Sequence, residues 1–352
     1  MTSTPATAVD GVSPDASPAT RKAPNQRSFA RFIPQKNEMI SLSVLALVAL
    51  VFTITTEGLL VSPATLNVLA TFGPEILILT MAVGVVLVTG QIDLSVGSIY
   101  VASSVILAAS VRDLGAPLWI ACLIAVASGG VMGLVNGLLV VRTGVSSFIV
   151  TLGTMWAFRG LMLVFIGSTT ISAFDDPDAF TAFDLLAGRT FGVSHQVLWL
   201  AVVVAVLAIV LAKSRFGVWV RAVGSNERSA RMMGIPTHQV TVKVFVISGL
   251  LSGFAGVIQV AQSNQAVPQS GDSVMLTALA GAIIGGVALT GGRGGVVGPL
   301  LGGLTLLVIS LGFVMMGVVE FWTNILVAVA VIFTAYAFTR LENLRVRKAR
   351  KS

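Results

Sequence analysis

The residues whose types and spacing suggest chemistry are few, and they interrupt apolar runs. The segment Thr89-Gly90-Gln91-Ile92-Asp93-Leu94-Ser95-Val96-Gly97-Ser98 sets one carboxylate among small residues between two such runs. A carboxylate bordering hydrocarbon is costly, so it needs a functional or a paired structural role. Two readings of Asp93 coexist. It lines a polar pathway, or it caps the following helix by accepting the free amides around Ser95 and Val96. Arg159 lies inside another apolar run, beside Trp156 and Phe158. A guanidinium buried there must face a cavity, where it donates to hydroxyls, or a structural partner. The aromatic pair offers a stacking face for a ring or simply packs. A third segment, Thr290-Gly291-Gly292-Arg293-Gly294-Gly295-Val296-Val297-Gly298-Pro299, reads as a turn with Arg293 exposed on it, and Pro299 suits the first turn of the next helix.

Enzyme signals are nearly absent. The chain has no Gly-Lys dipeptide, hence no phosphate-cradling P-loop. Its two histidines, His195 and His238, stand in no ligand spacing with a carboxylate or thiol, so neither a catalytic residue nor a metal site is expected. Cys122 is the sole cysteine and reads as a small buried hydrophobe, with no intrachain disulfide. Work done by such a chain draws on an ion gradient or on another polypeptide. An ion-coupled carrier expects a relay of titratable groups at membrane depth. Asp93 is the clear candidate, and Glu57, Glu75 and Glu320 read as lying near the ends of spans.

The elements that must position these residues are membrane helices. Of 352 residues, 55% are hydrophobic and 11% charged. A soluble domain carries about 25% charged residues. Apolar runs of about 20 residues, the length that crosses a bilayer core, recur at 39–56, 68–89, 94–111, 117–141, 146–168, 196–213, 242–262, 274–291, 296–316 and 320–339. The net charge of +7 does not point to nucleic acid. Of 22 Lys and Arg, 17 cluster in Arg21–Lys36, Lys213–Lys243 and Arg340–Lys351, each flanking an apolar run. The positive-inside rule makes all three cytoplasmic. An even number of about ten spans places both termini inside, and places the loop 169–195, with Asp175, Asp176, Asp178 and Asp184, outside.

The chain thus divides into a disordered cytoplasmic tail, 1–36, a transmembrane domain, 37–340, and a basic cytoplasmic tail, 341–352. Within the loop 213–243, Asn226 to Pro236 reads as a short helix capped by Asn226 and stopped by Gly234 and Pro236. It docks into a partner's groove or lies at the lipid interface. Glycine pairs at small-xxx-small spacing, Gly129/Gly133, Gly133/Gly137 and Gly249/Gly253, allow close helix contact in lipid. A weak repeat aligns Gly84–Gly90 and Val96-Gly97 with Gly285–Gly291 and Val297-Gly298. Such halves are common in transporters.

Four stretches in order, Thr89–Ser98, Gly133–Leu161, Arg215–Gly256 and Gly281–Gly298, give the chain its resemblance to the permease subunits of ribose/xylose-type ATP-binding-cassette importers. The resemblance implies an all-α integral membrane bundle of the type II importer kind, in the bacterial cytoplasmic membrane. It implies a homodimer that moves a monosaccharide, an ATPase subunit that binds the ATP, and an extracytoplasmic sugar-binding protein, with no cofactor in this chain. It assigns Asn226, Glu227, Ala230 and Gly234 to coupling with the ATPase. It assigns Asp93, Ser95, Asn136, Phe148, Thr151 and Arg159 to the translocation pathway. Gln91 stands where that family usually has Gly. The alternatives are a permease for branched-chain amino acids and an ion-coupled secondary transporter. A membrane anchor or receptor is disfavoured, because the chain carries no sizeable soluble domain.

Overall fold

Pro63 opens the helix that carries the longest buried helical run of the bundle, Leu77–Val88, and Ser62 caps that helix by accepting the N–H of Thr65. The computed structural model describes residues 36–167, 169–175 and 183–318, with eight further residues between 322 and 340. The expected tails, 1–36 except Lys36 and 341–352, and most of the last expected span, 320–339, lie outside the described residues. The same holds for Asp176 and Asp178.

In chain order the helices are α1 (Lys36–Thr55), α2 (Pro63–Val88), α3 (Val96–Arg112), α4 (Leu118–Thr143) and α5 (Ser147–Ile166), followed by strand β1 (Ile171–Ser172) and the one-turn α6 (Asp184–Ala187). A hairpin of β2 (Arg189–Thr190) and β3 (Val193–Ser194) leads into α7 (His195–Lys213), α8 (Arg215–Ser225), α9 (Glu227–Met232) and α10 (Thr237–Ser263). The strand β4 (Gln265–Ala266) pairs antiparallel with β1, and α11 (Gly271–Ile284) and α12 (Val297–Met315) complete the described bundle. Among the described residues, seven helices are long and apolar enough to cross a membrane: α1, α2, α4, α5, α7, α10 and α12. Two of the shorter helices, α3 and α11, border the irregular segments 89–95 and 285–296.

Two boundaries depart from expectation for identifiable reasons. The span expected at 274–291 stops at Ile284, because Gly286 turns left-handed at φ 79° and the N–H of Val287 reaches back to the carbonyl of Ala282. That closes a Schellman-type end. The span expected from 68 begins instead at Pro63, so Glu75 lies near the middle of α2 and not at a span end. Its Oε2 is buried with no hydrogen-bond partner among the described residues.

Glycines set the packing distances at the core. A Cβ on Gly249 of α10 would lie 2.1 Å from the carbonyl oxygen of Gly129 on α4, and one on Gly133 would lie 2.2 Å from that of Phe245. The small-xxx-small faces of α4 and α10 therefore meet backbone to backbone. Gly256 lies against α3 at Tyr100 and Ser104. The central layer is α2, α3 and α10, whose buried faces supply much of the core. Outward faces of α1, α4, α5 and α7 stay apolar, as at Leu50, Leu123, Phe165 and Val202. Water would not tolerate such an exterior, and lipid does.

Gly249→Ala must push α4 from α10 and should cost roughly 1–3 kcal/mol, read as a lower Tm in detergent. Gly153→Ala on α5, where a Cβ meets nothing within 4 Å, should leave Tm unchanged or raise it. Equal shifts in the two variants would contradict the packing described.

Candidate functional site

In lipid every backbone polar group needs an internal partner, and the amides of the irregular segment between α2 and α3 obtain theirs from side chains of α5 and of the segment itself, which α4 and α10 tie in further. The N–H of Ile92 donates to Ser147 Oγ of α5 at 2.9 Å, and that of Leu94 donates to Thr151 Oγ1 at 3.1 Å. The N–H of Ser95 turns back to Asp93 Oδ1 at 2.9 Å, where Ser95 Oγ also donates at 2.6 Å. The other carboxylate oxygen, Oδ2, accepts from Ser248 Oγ of α10 at 3.1 Å. Asn136 Nδ2 of α4 donates to Ser95 Oγ at 2.6 Å. Asp93 is 1% exposed, and Ser95, Asn136, Thr151 and Ser248 are fully buried. Asn136 Oδ1 stays without a partner among the described residues.

The capping reading of Asp93 therefore describes its geometry at Ser95, while its second oxygen ties α3 to α10. Of the six residues expected on the pathway, Asp93, Ser95, Asn136 and Thr151 join in this one buried cluster. Phe148 and Arg159 do not. Phe148 is 45% exposed on the outer face of α5. Arg159 is not enclosed within its span; it is partly exposed and pairs with Asp272 in the first turn of α11. The Trp156 ring lies 5.8 Å from the guanidinium. Arg159 stands about 18 Å along α5 from Ser147, at the rise of a regular helix. Sequence reasoning missed Ser147, Ser248 and Asp272. Ser248 and Ser252 are spaced one turn apart beside Gly249 and Gly253, and that polar, small stripe was the available signal.

Below the cluster, a cleft of about 390 Å³ opens between Gln91, Val141, Ser146, Glu227, Arg231 and His238. The short helix α9 forms one wall. Asn226 caps it by accepting the N–H of Ser229 at 2.9 Å, and Gly234 ends it at φ 78°. Glu227 pairs with Arg231 at 2.9 Å, and Arg231 also contacts His238 Nε2 at 3.0 Å. Ala230 is fully buried, so it seats the helix on the bundle. Outward from α9 stand Met232, 77% exposed, and Met233, 69% exposed, which sequence reasoning did not single out. Exposed methionines adapt to an apolar groove. Arg142, at the end of α4, joins the Arg215–Lys243 region at this end of the bundle, while Asp113 and Asp184 belong to the opposite end, and Asp272 lies between, beside Ser98 and Val101 of α3.

Asp93→Asn keeps an oxygen for the Ser95 amide and should retain folding. Asp93→Leu strands one amide and two hydroxyls, each costing roughly 1–3 kcal/mol, and should lower Tm in detergent sharply. A Leu variant with unaltered Tm would remove Asp93 from the cluster's support.

The model of a family described as "Branched-chain amino acid transport system / permease component" matches residues 64–335. The ribose import permease of Escherichia coli (strain K12) is 35% identical over 256 residues, 72% of this chain and 79% of that protein. The fructose import permease of Rhizobium meliloti is 30% identical over 311 residues, 87% of this chain and 86% of that protein. The galactose/methyl galactoside import permease of Escherichia coli (strain K12) is 28% identical over 323 residues, covering 88% and 95%. No solved structure is significantly similar to the chain.

Proposed function

The chain belongs to the branched-chain amino acid transport system permease family, and on that premise we propose that it is the pore-forming subunit of an ATP-driven importer of a monosaccharide. It is a transporter permease and not an enzyme: no bond in the cargo is made or broken. The substrate class follows the relatives, which are named for ribose, fructose and galactose and align over most of the chain. The branched-chain amino acid reading rests on the family's description alone.

The observation that carries the mechanism is α9, a capped helix seated by Ala230 with Met232 and Met233 turned outward beside a polar cleft. A separate ATPase subunit grips it, since this chain has no phosphate-binding loop of its own. An extracytoplasmic binding protein delivers the sugar at the other end. The gathering of Arg142 and the basic region Lys213–Lys243 at the α9 end supports a cytoplasmic side there. With it go about ten crossings and both termini inside a bacterial cytoplasmic membrane. The apolar outer face of α5 supports pairing of two copies. Phe148, Trp156 and Arg159 on that helix, the last paired with Asp272 of α11, then line the path, while the Asp93 cluster holds its wall. A partner's ATP-bound state that binds one conformation better supplies the shift between outward and inward openings.

Purified chain reconstituted with its ATPase subunit and binding protein should accumulate sugar in proteoliposomes only with ATP. Uphill uptake by the chain alone would overturn this reading. Replacing Glu227 and Gly234 together should reduce ATPase association and uptake while membrane insertion persists; unchanged ATP-dependent uptake would count against the coupling role. Trp156→Ala should lower uptake without altering ATPase association.

A further inference from the structure

The weak sequence repeat has a spatial meaning. Its two turns, Thr89-Gly90 and Thr290-Gly291, touch each other, and the last residues of α8 are wedged against both. Gly291, at φ 81°, would place a Cβ 2.6 Å from the amide nitrogen of Gly90, which itself adopts φ 74°. A Cβ on Gly224 would lie 2.0 Å from the carbonyl oxygen of Val88 and 2.5 Å from the amide nitrogen of Gly292. The N–H of Gly292 donates to that same Val88 oxygen at 2.8 Å. A Cβ on Gly292 would meet Ser225 Oγ at 2.4 Å. Three segments distant in sequence thus meet backbone on backbone, with only the small Ser225 side chain beside them. They are the end of α2, the end of α8, and the turn after α11.

The second of these segments leads directly into the coupling helix. Gly224 precedes Asn226, the cap of α9, by two residues, and the N–H of Asn226 still bonds to the carbonyl of Ala222 in α8. Side-chain contacts can slide past one another by changing rotamer. The hydrogen bond from Gly292 to Val88 cannot slide without breaking, and Gly224 seats the end of α8 in close contact with both of its partners. The junction therefore transmits displacement without absorbing it.

We propose that Gly224 is a positioning residue that locks the coupling helix to the matching turns of both repeats, so that α9, the end of α2 and the 285–292 turn move as one rigid body when the ATPase subunit closes. This deepens the coupling role given to α9 above and rests on it. The stroke then reaches two halves of the bundle at once: the α2–α3 irregular segment, which carries Asp93, and the turn that connects α11 to α12.

The test uses the full chain assembled with its ATPase subunits in proteoliposomes. Gly224→Ala leaves the exposed surface of α9 intact, so the ATPase should co-purify at wild-type stoichiometry. Uptake per ATP hydrolysed should fall at least about tenfold, a loss of about 1.4 kcal/mol of coupling. Ser225→Ala, which removes only a hydroxyl bonded to the Arg221 carbonyl, should keep normal coupling. A second measurement does not depend on the folding of the Ala variant. Spin labels on Arg228→Cys and Leu289→Cys, in a Cys122→Ala background and diluted with unlabelled copies, should give the same separation in nucleotide-free and ATP-trapped complexes. Labels at 228 and Leu161→Cys should change theirs. Wild-type uptake per ATP in Gly224→Ala, or a 228–289 distance that follows nucleotide state, would overturn the rigid junction while leaving the importer reading standing. Failure of the wild-type chain to bind any ATPase subunit would overturn both.

Discussion

Hydrocarbon offers no hydrogen bonds, and the rest of this structure depends on how one stretch of irregular backbone meets that constraint. Between α2 and α3 the chain leaves the helix and exposes the amides of Ile92, Leu94 and Ser95. Ser147, Thr151 and Asp93 each take one of them. Those acceptors come from α5 and from the segment itself, and Ser248 and Asn136 extend the network to α10 and α4. Four helices thereby acquire a common reference point, and α3 starts from it at a set height and direction. Removing any one acceptor would leave a buried donor stranded where no water can replace the partner.

Close approach of backbones supplies the second requirement. Two apolar helix faces gain little from meeting in lipid, which is as apolar as they are, so association relies on contact area and on short distances. Gly129 and Gly133 against Gly249 and Phe245 bring α4 onto α10 in this way. Gly302 against the carbonyl of Gly281 brings α12 onto α11. The polar cluster and the glycine contacts act together: without the close packing of α4 on α10, Asn136 and Ser248 would not both reach the Asp93–Ser95 pair.

A protein built this way performs no bond chemistry, and its few polar side chains are spent mostly on holding its own backbone. The residues left facing outward divide by end. At the basic end stand α9 with Met232 and Met233 and the cleft beside Gln91. Farther along α5 stand Trp156 and the Arg159–Asp272 pair. Motion of one end relative to the other is the function such an arrangement serves, which agrees with a family of transport permeases.

Hydropathy, glycine spacing and capping signals by themselves determined the membrane class, the positions of most helices, the Asn226-capped turn of α9 and the existence of interruptions before α3 and before α12. Each of these is set by a few neighbouring residues and by the solvent around them, so a linear reading suffices. Tertiary structure alone decided which side chains complete the Asp93 cluster, that Arg159 pairs with Asp272, that Ala230 faces inward, and that the two repeat turns meet at Gly224. The early end of α11 and the depth of Glu75 belong with these, since both follow from cap geometry that hydropathy windows do not resolve. The reason is distance along the chain. Asp93 and Ser248 are 155 residues apart, and Arg159 and Asp272 are 113 apart. No local pattern marks one small serine among many as the partner of a particular carboxylate until packing places the two helices side by side.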